Sequence, residues 1–390
     1  MMKKIFFLVH SMNVGGVEKA LLGLLSAIPM DKYEVHLGLI HEKGGFLGFL
    51  PKEVKIHEIS VYNKYWRLIN DPPLWNVKSL LKQGHIIEAL IHFFLYIQFK
   101  LTQNRYWFYQ YLLRKEPAMS EKFDLAVSFA GPSQMMDYYI CEKVNAKVKC
   151  GWIHFDVSKF GIDKGMTAKL YKKYQKIFIV SETAKEIFDG IFPQFKNKTE
   201  FFYNIVSPNQ VIHLADKGDS FSDHYNGKRI LTVGRIFEEK GQRVAIEALK
   251  LLLDKGVDVK WYFVGDGKDK EFCQLLAENL GIADHVVFLG TQTNPYGYMK
   301  DCDIYMQPSR HEGFCITLAE ALCFGHPIVA TDFTGAREQL KDRENGVVTG
   351  MSASEIEKGL EEILVSGCKS YSVHSVPVPE IKPFTDLLCD

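Results

Sequence analysis

The stretch PSRHEGFCITLAEALCFGHPIVATD, residues 308–332, reads as a loop, a helix, a glycine stop and a strand in immediate succession. The apolar run CDIYMQPS (302–309) leads into it, so the segment predicts a strand–helix–strand unit of a parallel sheet. Glu312 lies in the loop, and Glu320 lies inside the helix CITLAEALCF, which Gly325 ends. The first N–H groups of that helix, at Phe314, Cys315 and Ile316, have no partner within the helix and can take an anion. A glutamate in the loop and a second two turns in can accept hydrogen bonds from a hydroxyl-bearing ligand. The same residues also suit a plain helix whose leading acid faces its dipole.

The alternation continues outward from this stretch. KRILTVGR, VKWYFVGDG and HVVFLG predict strands, and GQRVAIEALKLLLDKG and EFCQLLAENLG predict helices. In the first half KKIFFLV, YEVHLGLI, FDLAVSFA, KVKCGWIHF and KIFIVSE predict strands, with VEKALLGLLSAI a helix. Polar, turn-rich residues between Tyr203 and Lys228 separate the two series. The expected organisation is two Rossmann-like α/β domains, residues 1–205 and 206–372, with a tail, 373–390, in which 383–388 can return to the first domain. Two such domains form a cleft, and ligands bind at the carboxyl ends of their strands.

A length of 390 residues agrees with two domains. The balance of 47% hydrophobic and 24% charged residues excludes a disordered or fibrous chain. Lys and Arg number 47 and Asp and Glu 47, which argues against a surface built as a whole to attract nucleic acid. The eight cysteines form no CxxC pair and read as reduced thiols of a cytosolic protein. The apolar run Ile5–Val9 is too short for the core of a signal peptide, and no run has the length of a membrane span.

Four further motifs carry possible chemistry. Gly15-Gly16-Val17-Glu18 follows the first strand and either lets backbone N–H groups approach an anion or sugar or makes a tight turn. It is not GxGxxG, and no Walker lysine follows. Arg235 and Lys240, after the strand RILTVG, either hold a diphosphate or join Glu238 and Glu239 in a solvated charge cluster. His154, at the end of an apolar strand with Asp156 close by, is either a site residue or a hydrogen-bonded core residue. Asp301-Cys302-Asp303 imitates a DxD metal motif but reads as the end of a helix, and no metal ligands are expected.

The spacing Glu312-x7-Glu320 resembles the signature of family 4 glycosyltransferases, retaining enzymes of the GT-B fold. GGVEKAL, VGR with EEKG, FVGDG, FLG, GAREQL and ENGVV occur in the same order, and the likeness is strongest from Lys228 to Val348. The resemblance implies that Arg235 and Lys240 bind the donor diphosphate. It sets Glu312 near the donor sugar and Glu320 on the nucleotide ribose. Gly313, Phe314, Cys315 and Ile316 would supply backbone to donor phosphate and sugar, Gly15 and Gly16 the loop over the phosphate, and His154 the histidine facing the reacting sugar. Asn204-Ile205-Val206-Ser207 stands where the family has Asn-Gly-Val-Asp, which leaves the role of Asn204 open.

The implied activity is transfer of a hexosyl group from a nucleotide-diphosphate sugar to a glycan or lipid-linked acceptor, with retention of configuration. UDP is expected from its frequency in the family, and a bacterial polysaccharide or cell-surface glycan is the expected setting. No cofactor or metal is implied. The alternatives are a non-catalytic nucleotide-sugar-binding or scaffold subunit of a glycan assembly complex, and a nucleotide-sugar epimerase or a phosphorylase on the same fold. GGVE and the lack of an acid at a second strand end argue against a nicotinamide dehydrogenase.

Residues 77–116 break the α/β pattern: they are helical in character, rich in aromatics and locally basic. That combination suits the interface of an anionic membrane, with the protein peripheral on the cytoplasmic face. The alternative is a helical insertion whose aromatic face packs on the first domain, and no heptad or continuous stripe decides between the two.

Overall fold

A computed structural model describes residues 2–341, 345–366 and 379–389. Cys368, Glu344 of the ENGVV motif and tail residues 373–378 lie outside the described residues. The chain divides into two compact units, Met1–Phe202 with Glu380–Asp390, and Tyr203–Pro379.

The first unit is built on seven parallel strands. These are β1 (Lys3–Val9), β2 (Tyr33–Leu39), β3 (Lys55–Glu58), β4 (Lys122–Gly131), β5 (Asn145–Ile153), β6 (Lys176–Ile179) and β7 (Thr199–Phe201), in the order β3-β2-β1-β4-β5-β6-β7. The interior strand β1 carries a continuous apolar run because both its faces are covered, and Ile5–Val9 are buried throughout. Helix α1 (Gly16–Ala27) follows β1. Gly44 holds the loop between them: its φ is +131°, and a Cβ there would lie 2.0 Å from the Met12 carbonyl.

Four helices stand between β3 and β4: α2 (Val61–Asn70), α3 (Pro73–Lys82), α4 (Ile86–Thr102) and α5 (Tyr106–Leu112). The helical run therefore begins earlier than residue 77. Its anchor is α5, whose Tyr106, Tyr109 and Leu112 are buried, with Tyr109 stacked on Tyr138. Arg105 locks the start of α5. Its guanidinium lies 4.8 Å from the Phe108 ring, and its backbone N donates to Asp163 at 2.7 Å.

The C-terminal residues belong to this unit. Phe384, in the short helix Lys382–Thr385, is fully buried and stacks on Phe7 at 5.7 Å and near Trp152 at 5.8 Å. Lys3 Nζ donates to the Leu388 carbonyl.

The second unit has six parallel strands: β8 (Lys228–Val233), β9 (Val259–Val264), β10 (Val286–Gly290), β11 (Ile304–Gln307), β12 (Ile328–Thr331) and β13 (Gly346–Thr349). Their order, β10-β9-β8-β11-β12-β13, is the Rossmann progression. Trp261 and Phe263 stack at 5.8 Å in its core, and the indole N–H is satisfied by Thr232 at 3.0 Å. The seven described cysteines are unbridged, and all but Cys389 are buried.

Candidate functional site

In a doubly wound sheet, the strand order reverses between two neighbours whose loops leave in opposite directions and open a crevice at the carboxyl ends. In the second unit those neighbours are β8 and β11. The loop after β8 carries Arg235 and Lys240, and the loop after β11 carries Ser309 and Glu312. The topology therefore joins residues 72 positions apart: Lys240 Nζ donates to Glu312 Oε1 at 2.6 Å. Both side chains are largely buried, at 17% and 13% exposure. Burial works against the lysine's charge, but the Glu312 carboxylate outweighs it and holds the Lys240 pKa above its usual value.

The two loops are also joined by backbone. Arg310 N donates to Glu239 O at 2.8 Å. Gly241, with φ +74°, lies so close to this loop that a Cβ would stand 1.9 Å from the Pro308 carbonyl oxygen. A buried polar chain holds Glu312 from behind. Tyr305 donates to Gln307 at 2.7 Å, Gln307 to Ser309 at 2.8 Å, and Ser309 Oγ to Glu312 Oε1 at 2.8 Å. Thr331 Oγ1 donates to the Ser309 carbonyl.

Arg235 stands apart from that pair. It is 57% exposed, 3.8 Å from Glu239, and its guanidinium lies over Phe237. Glu320 is buried in the helix Ile316–Ala321 and accepts from the Tyr296 hydroxyl at 2.7 Å. Burial and that carboxylate push the Tyr296 phenol well above its ordinary range. Phe314 packs on Tyr203 at 5.8 Å. The expectation of three open N–H groups needs a correction at Cys315: the Gln339 amide, turned to satisfy both its atoms, accepts from Cys315 N and donates to Cys315 O at 3.1 Å each. Burial also raises the Cys315 thiol to about 12, which keeps it neutral. Asn204 is buried near the start of the unit.

Asp301 ends the helix Tyr296–Asp301 and accepts from Ser220. Asp303 accepts from Lys228 Nζ at 2.8 Å and Arg229 N at 2.9 Å. Both carboxylates of the DxD look-alike thus serve the framework.

The carboxyl end of the first unit's sheet gathers the remaining candidates. Gly15 precedes α1 in extended backbone, and a Cβ there would meet the Glu18 carboxylate at 2.6 Å. Gly16 has open space where its Cβ would be. His154 follows β5, its ring 4.6 Å from Phe129. The residue as a whole is only half-buried, yet its Nε2 is shut off from water and has no partner among the described residues. Burial lowers its pKa to about 3, against a backbone hydrogen bond with Phe129 that raises it, so the ring is neutral. Asp156 accepts from the Ser158 N–H and hydroxyl. His10 and His41, after β1 and β2, pack ring to ring at 4.9 Å.

Ser309, Gln307, Gln339 and Tyr296 were missed by motif reading. Ser309, three residues before Glu312, and Gln339, inside GAREQL, carry a local signal. Among the described residues one group has the donor set for a metal: His36, His57 and Glu121, away from these motifs. His36 and His57 already bond each other at 2.7 Å, and Glu121 is engaged by Lys4.

Two Rossmann-like units of parallel strands are the make-up of the GT-B fold. The HepE protein of Anabaena, solved with UDP-glucose, matches over 95% of this chain and 92% of its own, with a TM-score of 0.67 at 18% identity. Residues 220–372 match the family described as glycosyl transferases group 1. An uncharacterized glycosyltransferase of Methanocaldococcus jannaschii is 31% identical over 180 residues, 44% of each chain. The N-acetylgalactosamine-N,N'-diacetylbacillosaminyl-diphospho-undecaprenol 4-alpha-N-acetylgalactosaminyltransferase of Campylobacter jejuni is 25% identical over 349 residues, 89% of this chain and 86% of the relative.

Proposed function

We propose that this chain is a retaining glycosyltransferase that moves a hexosyl group from a UDP-sugar to a glycan or lipid-linked acceptor on the cytoplasmic face of a membrane. The observation that carries the reading is the Lys240–Glu312 pair at the switch point of the second unit. In this reading Arg235 and Lys240 neutralise the departing diphosphate, a role that needs no metal or cofactor. Glu312 meets the donor sugar, Glu320 the ribose, and the backbone of Gly313, Phe314 and Ile316 the phosphate and sugar. Asn204 borders the donor. Gly15 and Gly16 cover the phosphate, and His154 faces the reacting sugar. The acceptor oxygen attacks on the face the diphosphate leaves, and a leaving phosphate oxygen takes its proton, so configuration is kept without an enzyme nucleophile.

UDP-glucose in the HepE structure and the diphospho-undecaprenol substrate in the name of the Campylobacter relative support UDP and a lipid-linked acceptor respectively. Calorimetric titration with UDP, GDP and ADP, followed by hydrolysis assays over UDP-sugars, tests the reading. UDP binding and slow hydrolysis of one donor, both weakened in Lys240→Ala, is the expected result. Binding of none of the three nucleotides would sink it.

A further inference from the structure

Helix α4 is apolar on its exposed face as well as its buried one. Its buried face carries Ala89, His92 and Leu95, and His92 packs edge-on to Tyr111 at 5.7 Å. Its outer face carries Ile87 at 75% exposure, Leu90 at 62%, Phe94 at 69% and Leu101 at 80%. At about 100° per residue these four fall within an arc of roughly 60°. The stripe continues onto α3, where Leu74, Trp75 and Leu81 are 52%, 61% and 50% exposed. Between α4 and α5 a groove of about 540 Å³, lined by Phe94, Trp107 and Arg114 among others, extends the apolar surface. A surface of this kind marks an interaction site.

Charge selects the partner. Lys78 and Lys82 stand on α3 among Leu74, Trp75 and Leu81, and Lys100 flanks the α4 stripe; all three are exposed. Glu88 is the single acid between residues 73 and 102. Among the described residues no helix is long and apolar enough to cross a membrane. Apolar residues and tryptophan on one face, with lysines interleaved and beside them, match a helix lying in the plane of an anionic leaflet. We infer that α3 and α4 dock this unit onto an anionic lipid surface, with Ile87, Leu90, Phe94 and Trp75 entering the headgroup–acyl boundary. The inference gives the lipid-linked acceptor reading a physical surface, but it stands on its own observation.

Sedimentation of the full chain with vesicles of phosphatidylcholine, alone or mixed with phosphatidylglycerol, tests it, with tryptophan emission read in parallel. The expected result is binding to the mixed vesicles, weaker binding to phosphatidylcholine, and a blue shift as Trp75 leaves water. Leu90→Glu with Phe94→Glu should lower partitioning at least about tenfold on both vesicles. Lys78→Glu with Lys82→Glu should lower it on the mixed vesicles alone. UDP affinity should be unchanged in both double variants, which keeps the result separate from the transferase reading. Wild-type protein left in solution with both vesicles would overturn the inference. So would unchanged binding by the Leu90/Phe94 variant, or a dimer without lipid affinity that this variant disperses, which would make the partner a second copy.

Discussion

Lys240→Ala and Glu312→Gln together separate a structural ion pair from a diphosphate-binding cation. The pair meets at 2.6 Å, with side chains 17% and 13% exposed. Breaking a buried pair costs about 3–5 kcal/mol, and breaking an exposed one about 0–1 kcal/mol. Lys240→Ala leaves Glu312 with the Ser309 hydroxyl as a donor, so an intermediate cost of about 2 kcal/mol is expected. That corresponds to a fall in Tm of about 4–8 °C for a unit of this size. Glu312→Gln keeps an oxygen that accepts from both donors, and its cost should be nearer 1 kcal/mol.

The two variants part on nucleotide affinity. Lys240→Ala loses a charge-assisted contact of about 1.5–3 kcal/mol, which weakens UDP binding about 10–150-fold. Glu312→Gln releases Lys240 from its carboxylate, so UDP should bind at least as tightly as in wild type. Donor turnover should nonetheless fall about a hundredfold, because the group proposed to face the sugar has changed. Calorimetry gives the affinities, thermal unfolding the stabilities, and donor hydrolysis the turnover. UDP affinity within about threefold of wild type in Lys240→Ala, or weakened in parallel in both variants, would refute the reasoning and leave the pair a structural one.

His154 should make the protein acid-sensitive. Its ordinary pKa is 6.5 and its folded value about 3, so the unfolded chain takes up a proton below pH 6.5 that the folded chain refuses. Its contribution is complete above pH 6.5 and declines as pH falls, by at most about 1.4 kcal/mol per pH unit and by less for a half-buried residue. His154→Gln should flatten the dependence of Tm on pH between 6.5 and 5. Asp137, raised by burial to about 6, slopes the other way, because its stabilising effect is lost as pH rises through 6. The difference between variant and wild type is therefore the quantity to compare. Gly241→Ala forces a side chain onto the Pro308 carbonyl at positive φ and should cost about 1–3 kcal/mol in thermal unfolding, with weaker UDP binding as the two loops separate. Phe384→Ala removes a fully buried ring from the core of the first unit and should cost about 3–5 kcal/mol by denaturant titration.

Much of this framework is legible in the chain. Strands buried on both faces must be apolar throughout, so KKIFFLV, FDLAVSFA and VKWYFVGDG announce themselves. The strands β3, β7 and β13 do not. They have three or four residues each, and β3, with the sequence KIHE at the sheet edge, is mostly exposed and polar. Only pairing with a neighbour makes them strands. The same division runs through the candidate site. Glu312 and Lys240 are visible because glycine and charge mark the loops after two apolar strands. The Tyr305–Gln307–Ser309 chain and the Gln339 clasp on Cys315 arise when distant backbone is brought together, and no local rule anticipates them.

The helical insertion shows why a stripe can be present and still unreadable. Helix α4 is apolar nearly all round: Ile91, Leu95 and Phe99 lie off the outer arc, and Ile87, Leu90 and Phe94 lie on it. Periodicity alone therefore allows either face to be the core. Packing breaks the tie. Helix α5 supplies Phe108 and Tyr111, which take His92, and burial lowers that imidazole's pKa and keeps it neutral. Turning His92 inward sends Ile87, Phe94 and Leu101 outward. A chain selected only to pack this helix would have placed His92 on the outside with the exposed Glu88 and Lys100. The reversal carries a desolvation cost for a histidine and leaves a row of exposed apolar side chains. A lipid surface that covers Ile87, Phe94 and Leu101 offsets the exposure that their positions otherwise impose.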